Sequence, residues 1–145
     1  MPKVSIKVNG QTVATVPAGA IGPDRSGLAE LAGYMKKKSG KGAWQSRWFR
    51  TNNHFLTYQH KQKPKETAVP ACCYDLRCAF RIETIGRFGH VEMEMKFPNA
   101  PATVDGEDDG IRTIELKAKN LEEAEKWVDG LVERRNLFQM SLYST

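Results

Sequence analysis

Lysine and arginine side chains are concentrated in one segment of this chain, and groups of this kind bind anions. Between positions 33 and 65 the sequence holds nine basic residues and no Asp or Glu, whereas the remainder holds 13 basic and 17 acidic residues. Arginine offers phosphate oxygens a planar fork of N–H donors, and lysine offers a point charge. The segment therefore predicts an anionic partner. Its basic residues are Lys36, Lys37, Lys38, Lys41, Arg47, Arg50, Lys61, Lys63 and Lys65.

The first part of this segment predicts a strand, a short turn and a second strand. Strand alternation places Lys36 and Lys38 on one face and Lys37 on the other, so the three side chains cannot all enter one pocket. The turn at residues 39–42 contains two glycines, whose backbone N–H groups can approach an anion closely. Each basic residue near an anionic leaflet contributes about 1 kcal/mol. The segment therefore favours attraction to an anionic membrane surface.

No motif for catalysis accompanies the basic segment. The sequence lacks Gly-x-Ser-x-Gly, a P-loop and GxGxxG, its histidines are not paired at metal-ligand spacing, and its three cysteines have no second cluster. We therefore expect no enzyme activity, no cofactor and no metal site. The acidic run at 105–109 lacks the ligand spacing of an EF-hand and is expected to be a solvated loop. The odd cysteine count and the lack of a signal-peptide core or membrane span favour a cytoplasmic setting.

The elements that must position these side chains are predicted as strands followed by one helix. In residues 91–97 apolar and charged positions alternate, which is typical of a half-buried strand. Strands that follow one another in this way need a barrel or two sheets to bury one face. Shorter patterns predict further strands at 31–38, 44–51, 55–61, 71–76, 79–84 and 112–118.

The last element has a helical period. Asn120 is predicted as its N-cap, with Glu123 completing a variant of the capping box. Trp127 is expected to pack this helix on the strands, and Arg134 and Arg135 are expected to complement the negative end of the helix dipole. The predicted apolar face comprises Leu121, Ala124, Trp127, Val128, Leu131 and Val132.

The first 30 residues predict a separate unit. Residues 4–16 alternate around Asn9-Gly10, a pair that favours a tight type I′ turn, so a β-hairpin is expected. A linker rich in Pro and Gly follows. Because a two-stranded hairpin is marginal alone, we expect it to dock on the rest of the chain, on a partner or on a second copy through its strand edges.

Several pieces of the sequence, taken in order, resemble the pleckstrin-homology (PH) domain family. Gly33-Tyr-Met-Lys-Lys-Lys resembles its basic first strand, Trp44-Gln-Ser-Arg-Trp-Phe its second, and Leu56-Thr-Tyr58 its third, and the C-terminal helix carries one Trp, Trp127. The resemblance implies a mostly β (α+β) fold, a seven-stranded antiparallel barrel or sandwich capped by one C-terminal amphipathic helix, with the hairpin as an addition. It divides the chain into a hairpin and linker at 1–30, a PH domain at 31–138 and a tail at 139–145.

The resemblance also implies a set of residues that contact phosphate. Family members that hold phosphoinositides use basic residues on the first two strands and a Tyr on the third, which correspond here to Lys37, Arg47 and Tyr58. The middle basic position is occupied by Gln45, which keeps a hydrogen-bond donor but lacks the charge, so reduced selectivity for polyphosphorylated headgroups is expected. Lys36, Lys38, Lys41, Lys61 and Lys63 are expected to add electrostatic attraction.

Two functions follow as hypotheses. One is a non-enzymatic signalling adaptor that binds phosphoinositides, inositol phosphates or other anionic lipids and associates peripherally with membranes. The alternative is a protein-interaction or scaffold module with little lipid specificity, which self-associates or binds a partner through residues 1–30. No nucleic-acid partner is expected, because the exposed aromatic pattern of RNA-binding modules is absent.

Three side chains keep a second interpretation. Arg47 can instead pair with the acidic run at 105–109, and Tyr58 can be a core aromatic whose hydroxyl reaches the rim. Trp44, beside the turn, is a candidate for insertion at the lipid interface, where Trp is favoured.

Overall fold

The structure is a computed structural model that describes residues 3–8, 11–17, 20, 23–59, 70–85, 92–98 and 111–140. Several features of the sequence lie outside these residues: Lys61, Lys63 and Lys65, the Asn9-Gly10 turn, and the acidic run at 105–109. In the described part, no helix is both long and apolar enough to cross a membrane.

Nine strands and one helix form in the described residues. The strands are β1 (Lys3–Val8), β2 (Gln11–Pro17), β3 (Ala32–Lys38), β4 (Trp44–Asn52), β5 (Phe55–Gln59), β6 (Cys72–Asp75), β7 (Arg81–Thr84), β8 (Glu92–Pro98) and β9 (Ile111–Lys117), and the helix is α1 (Leu121–Gln139). A 3₁₀ turn, Leu76–Cys78, lies between β6 and β7.

Strands β3 to β9 form one antiparallel sheet in the order β6-β5-β4-β3-β9-β8-β7. Together with the C-terminal helix this confirms the predicted fold class, a seven-stranded PH-like sandwich capped by a helix. The alternation in β8 shows that one face of the sheet is buried and the other is more exposed, because Met93 and Met95 are fully buried while Glu94 between them is not. We call the side that faces the core the inner face and the opposite side the outer face.

Helix α1 covers one end of the sheet. The side chain of Asn120 accepts a 2.9 Å hydrogen bond from the backbone N–H of Glu123, which confirms the predicted N-cap. Trp127 is 4% exposed and joins the core cluster, also as expected. The sheet-facing side carries Gly130 because a Cβ there would collide with the Leu31 side chain. Gly130 therefore leaves room for the Leu31 side chain, which lies just before β3.

Arg134 does not complement the helix dipole as the sequence pattern suggested. Its side chain is 1% exposed and points into the protein, where Nη2 lies 2.8 Å from Oδ2 of Asp24. Nη1 donates to the carbonyl of Asn53 at 2.8 Å, and Nη2 to that of Ala29 at 3.3 Å. The dipole prediction was wrong because α1 continues to Gln139, which leaves neither Arg134 nor Arg135 in its last turn.

These contacts attach the linker to the end of the sheet where β4 turns into β5. Asn53, in this turn, has the positive φ of 51° that Asn tolerates. Its amide donates to the carbonyl of Pro23, and its side-chain oxygen accepts from the N–H of Arg25. Among the described strands, β1 and β2 pair with each other and with no strand of the larger sheet.

Candidate anion-binding site

The strand register brings the predicted phosphate-binding residues to the inner face of the sheet. Met35 pairs with Arg47 and Lys37 pairs with Gln45 across β3 and β4. Opposed residues of an antiparallel pair point to the same face, and Met35 is 2% exposed in the core. Lys37, Gln45 and Arg47 therefore extend from the inner face at the edge of the core.

Tyr58 joins this group from β5. It pairs with Phe49, which is fully buried, and the two ring centroids lie 5.4 Å apart. Burial is the largest cause that raises the pKa of the Tyr58 hydroxyl, with Cys72 adding to it, whereas the charges of Arg47 and Arg112 lower it. A tyrosine hydroxyl is protonated at neutral pH even without this rise, so it can donate a hydrogen bond to a phosphate oxygen. The Tyr58 ring packs against the core, and its hydroxyl is within the electrostatic influence of Arg47 and Arg112. Its contact with phosphate stays a prediction.

Gln45 has a definite contact in place of a charge. Its side-chain oxygen accepts a 3.0 Å hydrogen bond from Nη2 of Arg47, while Nη1 of Arg47 donates to the carbonyl of Ser46 at 2.8 Å. A second cation at position 45 would repel Arg47, whereas the amide holds the guanidinium in place. Compared with the basic residue that the family resemblance predicts at position 45, Gln45 lacks a charge but orients the Arg47 guanidinium.

Arg112 is a residue of this face that the sequence analysis missed. It stands two positions before the buried Ile114 on β9, and its guanidinium carbon lies 5.5 Å from the centroid of the Tyr74 ring. The sequence did contain a signal for this, because alternate residues of a strand share a face and Arg112 alternates with Ile114 and Leu116. What the sequence does not supply is how the sheet folds over on itself, which brings β9 near Tyr58 although β3 and β4 lie between β9 and β5 in the strand order.

Lys36 and Lys38 point to the outer face, as the alternation predicted. Nζ of Lys38 lies 3.5 Å from a carboxylate oxygen of Glu115. Trp44 lies on the same side, with Nζ of Lys117 4.6 Å and Nζ of Lys38 5.9 Å from its ring centroid. Trp44 is therefore half-buried beneath two ammonium groups.

The turn between β3 and β4 is closed by its own hydrogen bonds. The N–H of Ser39 donates to the carbonyl of Ala43 at 2.7 Å, and the N–H of Gly42 donates to the carbonyl of Ser39 at 2.9 Å. Gly42 has φ of +85°, which favours glycine. Because these N–H groups are engaged, the turn offers an anion less backbone than its composition suggested. Lys41 is exposed in this turn.

In the described part of the chain, no three His, Cys, Asp or Glu side chains are grouped so that they could hold a metal ion. A ligand at this site would meet the positive charges of the inner face, which come from Lys37, Arg47 and Arg112. The geometry fits an anion.

In a comparison with protein families, the model of the PH domain matches residues 29–135. No curated protein sequence matches. Among solved structures, the chain is similar to the PH domain of human oxysterol binding protein-related protein 11, with a TM-score of 0.62 and 21% identity over 86% of this chain and 94% of that one.

Two other solved PH domains are similar to it. The pleckstrin homology domain of human KIAA0053 protein has a TM-score of 0.56 and 24% identity, covering 83% of this chain and 94% of that one. The Slm1 PH domain, solved in complex with inositol-4-phosphate, has a TM-score of 0.59 and 15% identity, covering 72% of this chain and 94% of that one. At these identities the similarity concerns the fold.

Proposed function

The chain belongs to the PH domain family, and we propose that it is a non-enzymatic adaptor that binds phosphoinositides or other anionic lipids at the cytoplasmic surface of membranes. The observation that carries this proposal is that Lys37, Arg47 and Tyr58 share the inner face, within a segment of nine basic and no acidic residues. The complex of Slm1 with inositol-4-phosphate supports it by analogy of fold.

In this proposal each side chain has a distinct task. Arg47, held by Gln45, presents N–H donors to phosphate oxygens, and Lys37 supplies a second positive charge from the neighbouring strand. The hydroxyl of Tyr58 donates a further hydrogen bond, and Arg112 adds charge from β9. Because position 45 is uncharged, we propose a modest preference for one headgroup over another.

The remaining cations supply attraction that does not depend on a pocket. Lys36, Lys38 and Lys41 lie on the outer face or in the turn, so they can approach an anionic surface while Lys37 contacts a headgroup. Lys61 and Lys63 are proposed to add to this attraction. Such long-range attraction weakens as salt shortens the Debye length, whereas a close contact at Arg47 is less sensitive.

Sedimentation with liposomes tests the proposal. We expect binding to vesicles that contain phosphatidylinositol phosphates or phosphatidic acid at low salt, and none to phosphatidylcholine alone. Arg47→Ala should weaken this binding about tenfold, the value of one charge-assisted contact, whereas the matched control Arg81→Ala, on the distant strand β7, should have little effect. Failure to sediment with any anionic vesicle would refute the proposal, and equal losses for both variants would refute a specific pocket.

A second candidate function concerns the N-terminal hairpin. Among the described strands, β1 and β2 form a sheet of their own, so their outer edges can add to a partner's sheet or to a second copy. We propose protein interaction through this hairpin as the alternative. Deletion of residues 1–18 should then change the mass measured by light scattering or remove a bound partner. The deletion must stop there, because Asp24 pairs with Arg134. An unchanged monomer with unchanged partners would argue against the alternative.

A further inference from the structure

Strand β6 ends the seven-stranded sheet and has an open edge. Among the described strands it pairs with β5 alone. The N–H of Leu76 donates to the carbonyl of His54 at 2.8 Å, in register with the pairing of β5 and β6. Because backbone groups alternate in direction along an antiparallel strand, those of Cys73 and Asp75 point away from β5. Such an edge is a place where another strand can add.

A cavity of about 330 Å³ lies beside this edge. The Tyr74 ring stacks on the Phe97 ring with centroids 5.9 Å apart, and the guanidinium carbon of Arg112 lies 5.5 Å from the Tyr74 centroid. The Asp75 carboxylate is already engaged, because it accepts a 2.8 Å hydrogen bond from Arg77. The cavity therefore suits apolar side chains. Cys73, Cys78 and Pro98 complete its lining.

The N-terminal hairpin has an apolar face that needs such a surface. Val4 pairs with Val16 and Ile6 pairs with Ala14, and opposed residues of an antiparallel pair share a face. A two-stranded hairpin is at best marginally stable in water unless it packs on something else. Strand β2 lies alongside β6, with Cα atoms of the two strands within 8 Å, although no ladder joins them. The hairpin thus already approaches the open edge.

The connection between the hairpin and the sheet is short and is attached at its far end. Strand β2 ends at Pro17, and the carbonyl of Ala20, a residue 4% exposed, accepts a 3.4 Å hydrogen bond from the side chain of Asn52. Asp24 then pairs with Arg134. A hinge of this length restrains how the hairpin folds back on its own sheet, and short hinges favour exchange of an element between two copies.

We propose that two copies of the chain exchange their hairpins, so that β2 of one copy adds to the open edge of β6 in the other. The apolar face of the exchanged hairpin then covers the cavity beside Tyr74 and Phe97. This inference deepens the alternative function, on which it rests, because it names the partner as a second copy and the docking surface as β6. It does not depend on lipid binding.

Disulfide trapping in the full chain tests which surface the hairpin meets. Ala14→Cys and Thr15→Cys, made separately, sample both faces of β2. Oxidation with diamide is run at mildly alkaline pH, because burial raises the pKa of the Cys73 thiol to about 11. We expect an interchain disulfide to Cys73 or Cys78. The matched control is Ser5→Cys, opposite Thr15 on β1, which should form none, because Cα atoms more than about 7 Å apart cannot be bridged.

A non-reducing gel and peptide mass spectrometry identify the bonded cysteines. A disulfide between two chains supports the exchange. A disulfide within one chain would show that the hairpin closes on its own sheet, which would overturn it. The proposal also fails when neither β2 variant bonds to Cys73 or Cys78, or when Ser5→Cys bonds equally well.

The hinge provides a second test that needs no cysteine. We expect light scattering to show a dimer that dissociates on dilution. Insertion of Gly-Ser-Gly-Ser after Pro17 lets the hairpin fold back in its own chain, where its effective concentration is in the millimolar range, so the dissociation constant of the dimer should rise about tenfold or more. The same four residues placed before Met1 leave the hinge unchanged and are the control. Equal dissociation constants for the two insertions would overturn the exchange.

Deletion of residues 1–18 separates failure of this inference from failure of the alternative function. A dimer that the deletion abolishes, but that gives no disulfide to β6, would overturn the docking surface while retaining self-association through the hairpin. A full chain that is a monomer at every concentration would overturn the exchange, and the alternative function would then require a different protein as partner.

Discussion

Arg134 near the end of α1 and Asp24 in the N-terminal linker form an ion pair, with 2.8 Å between Nη2 and Oδ2 and a guanidinium only 1% exposed. Burial raises the pKa of the Asp24 carboxyl, but hydrogen bonds from Arg134 and Ser26 outweigh it and lower that pKa to about 2. The stability that ionised Asp24 contributes is therefore complete above its ordinary pKa of 3.8 and is lost as the pH falls toward 2.

Asp24→Asn should destabilise the fold by about 2 kcal/mol, because it leaves a buried guanidinium without its carboxylate while two carbonyl contacts remain. Urea denaturation at pH 7 measures the loss. Glu30→Gln is the matched control, since its partner Arg50 and Glu30 itself are 36% and 47% exposed, and such pairs contribute less than about 1 kcal/mol. Equal losses for the two variants would contradict the structural importance of the buried pair.

His54 should make the stability sensitive to mild acid. Its ring is 6% exposed between Phe55 and Phe138, and Nε2 has no hydrogen-bond partner in the described structure. Burial, and then the charge of Arg77, lower the pKa of His54 below 6.5, although Asp75 opposes this. The folded state thus favours neutral His54, and stability should decrease as the pH falls below about 6.5.

Comparing His54→Phe with the unchanged chain isolates this effect. The free energy of unfolding, measured by urea at pH 7.5 and at pH 5.5, should fall less on acidification in the variant. Asp24 does not contribute in this window, because it titrates at lower pH. The same pH slope in both proteins would show that His54 is not responsible.

Gly130→Ala should destabilise the protein, although alanine is the better helix former by about 1 kcal/mol. The added methyl group would collide with the side chain of Leu31, and forcing a group into a packed core costs about 1–3 kcal/mol. Thermal unfolding measures the net loss. Leu31→Ala should reduce the effect of Gly130→Ala, a coupling that a double-mutant cycle detects. A stabilised Gly130→Ala variant would contradict the tight packing of Leu31 against Gly130.

Gln45→Lys tests the proposal that position 45 limits headgroup affinity. One more cation at the inner face should increase binding to phosphatidylinositol bisphosphate vesicles about fivefold, from about 1 kcal/mol per charge, and should increase its salt dependence. Asn136→Lys adds the same charge on α1 and is the control. Unchanged binding would indicate that the orientation of Arg47 by Gln45 matters as much as the missing charge.

Local patterns in the sequence were sufficient to predict the strands and the helix, and to predict which lysines of β3 share a face. The alternation around Met93 and Met95 and the cap at Asn120 depend on neighbours within a few residues, and each predicts its element correctly. Arg112 was missed and Arg134 was misjudged for the opposite reason, since the environment of Arg112 comes from the folding of the sheet on itself and that of Arg134 from a linker at the other end of the chain. Contacts of this kind leave no periodic signal.

The run Lys36-Lys37-Lys38 affects how the register of β3 in the sheet is determined. A slip of one residue would exchange inner and outer positions, yet it would again put a lysine at the anion-binding position. The charges therefore cannot distinguish the correct alignment from a shifted one. That choice rests on Met35, which a slip would turn toward water, and on Gly33, which lies against Trp127. Two uncharged residues thus determine which lysine meets the ligand.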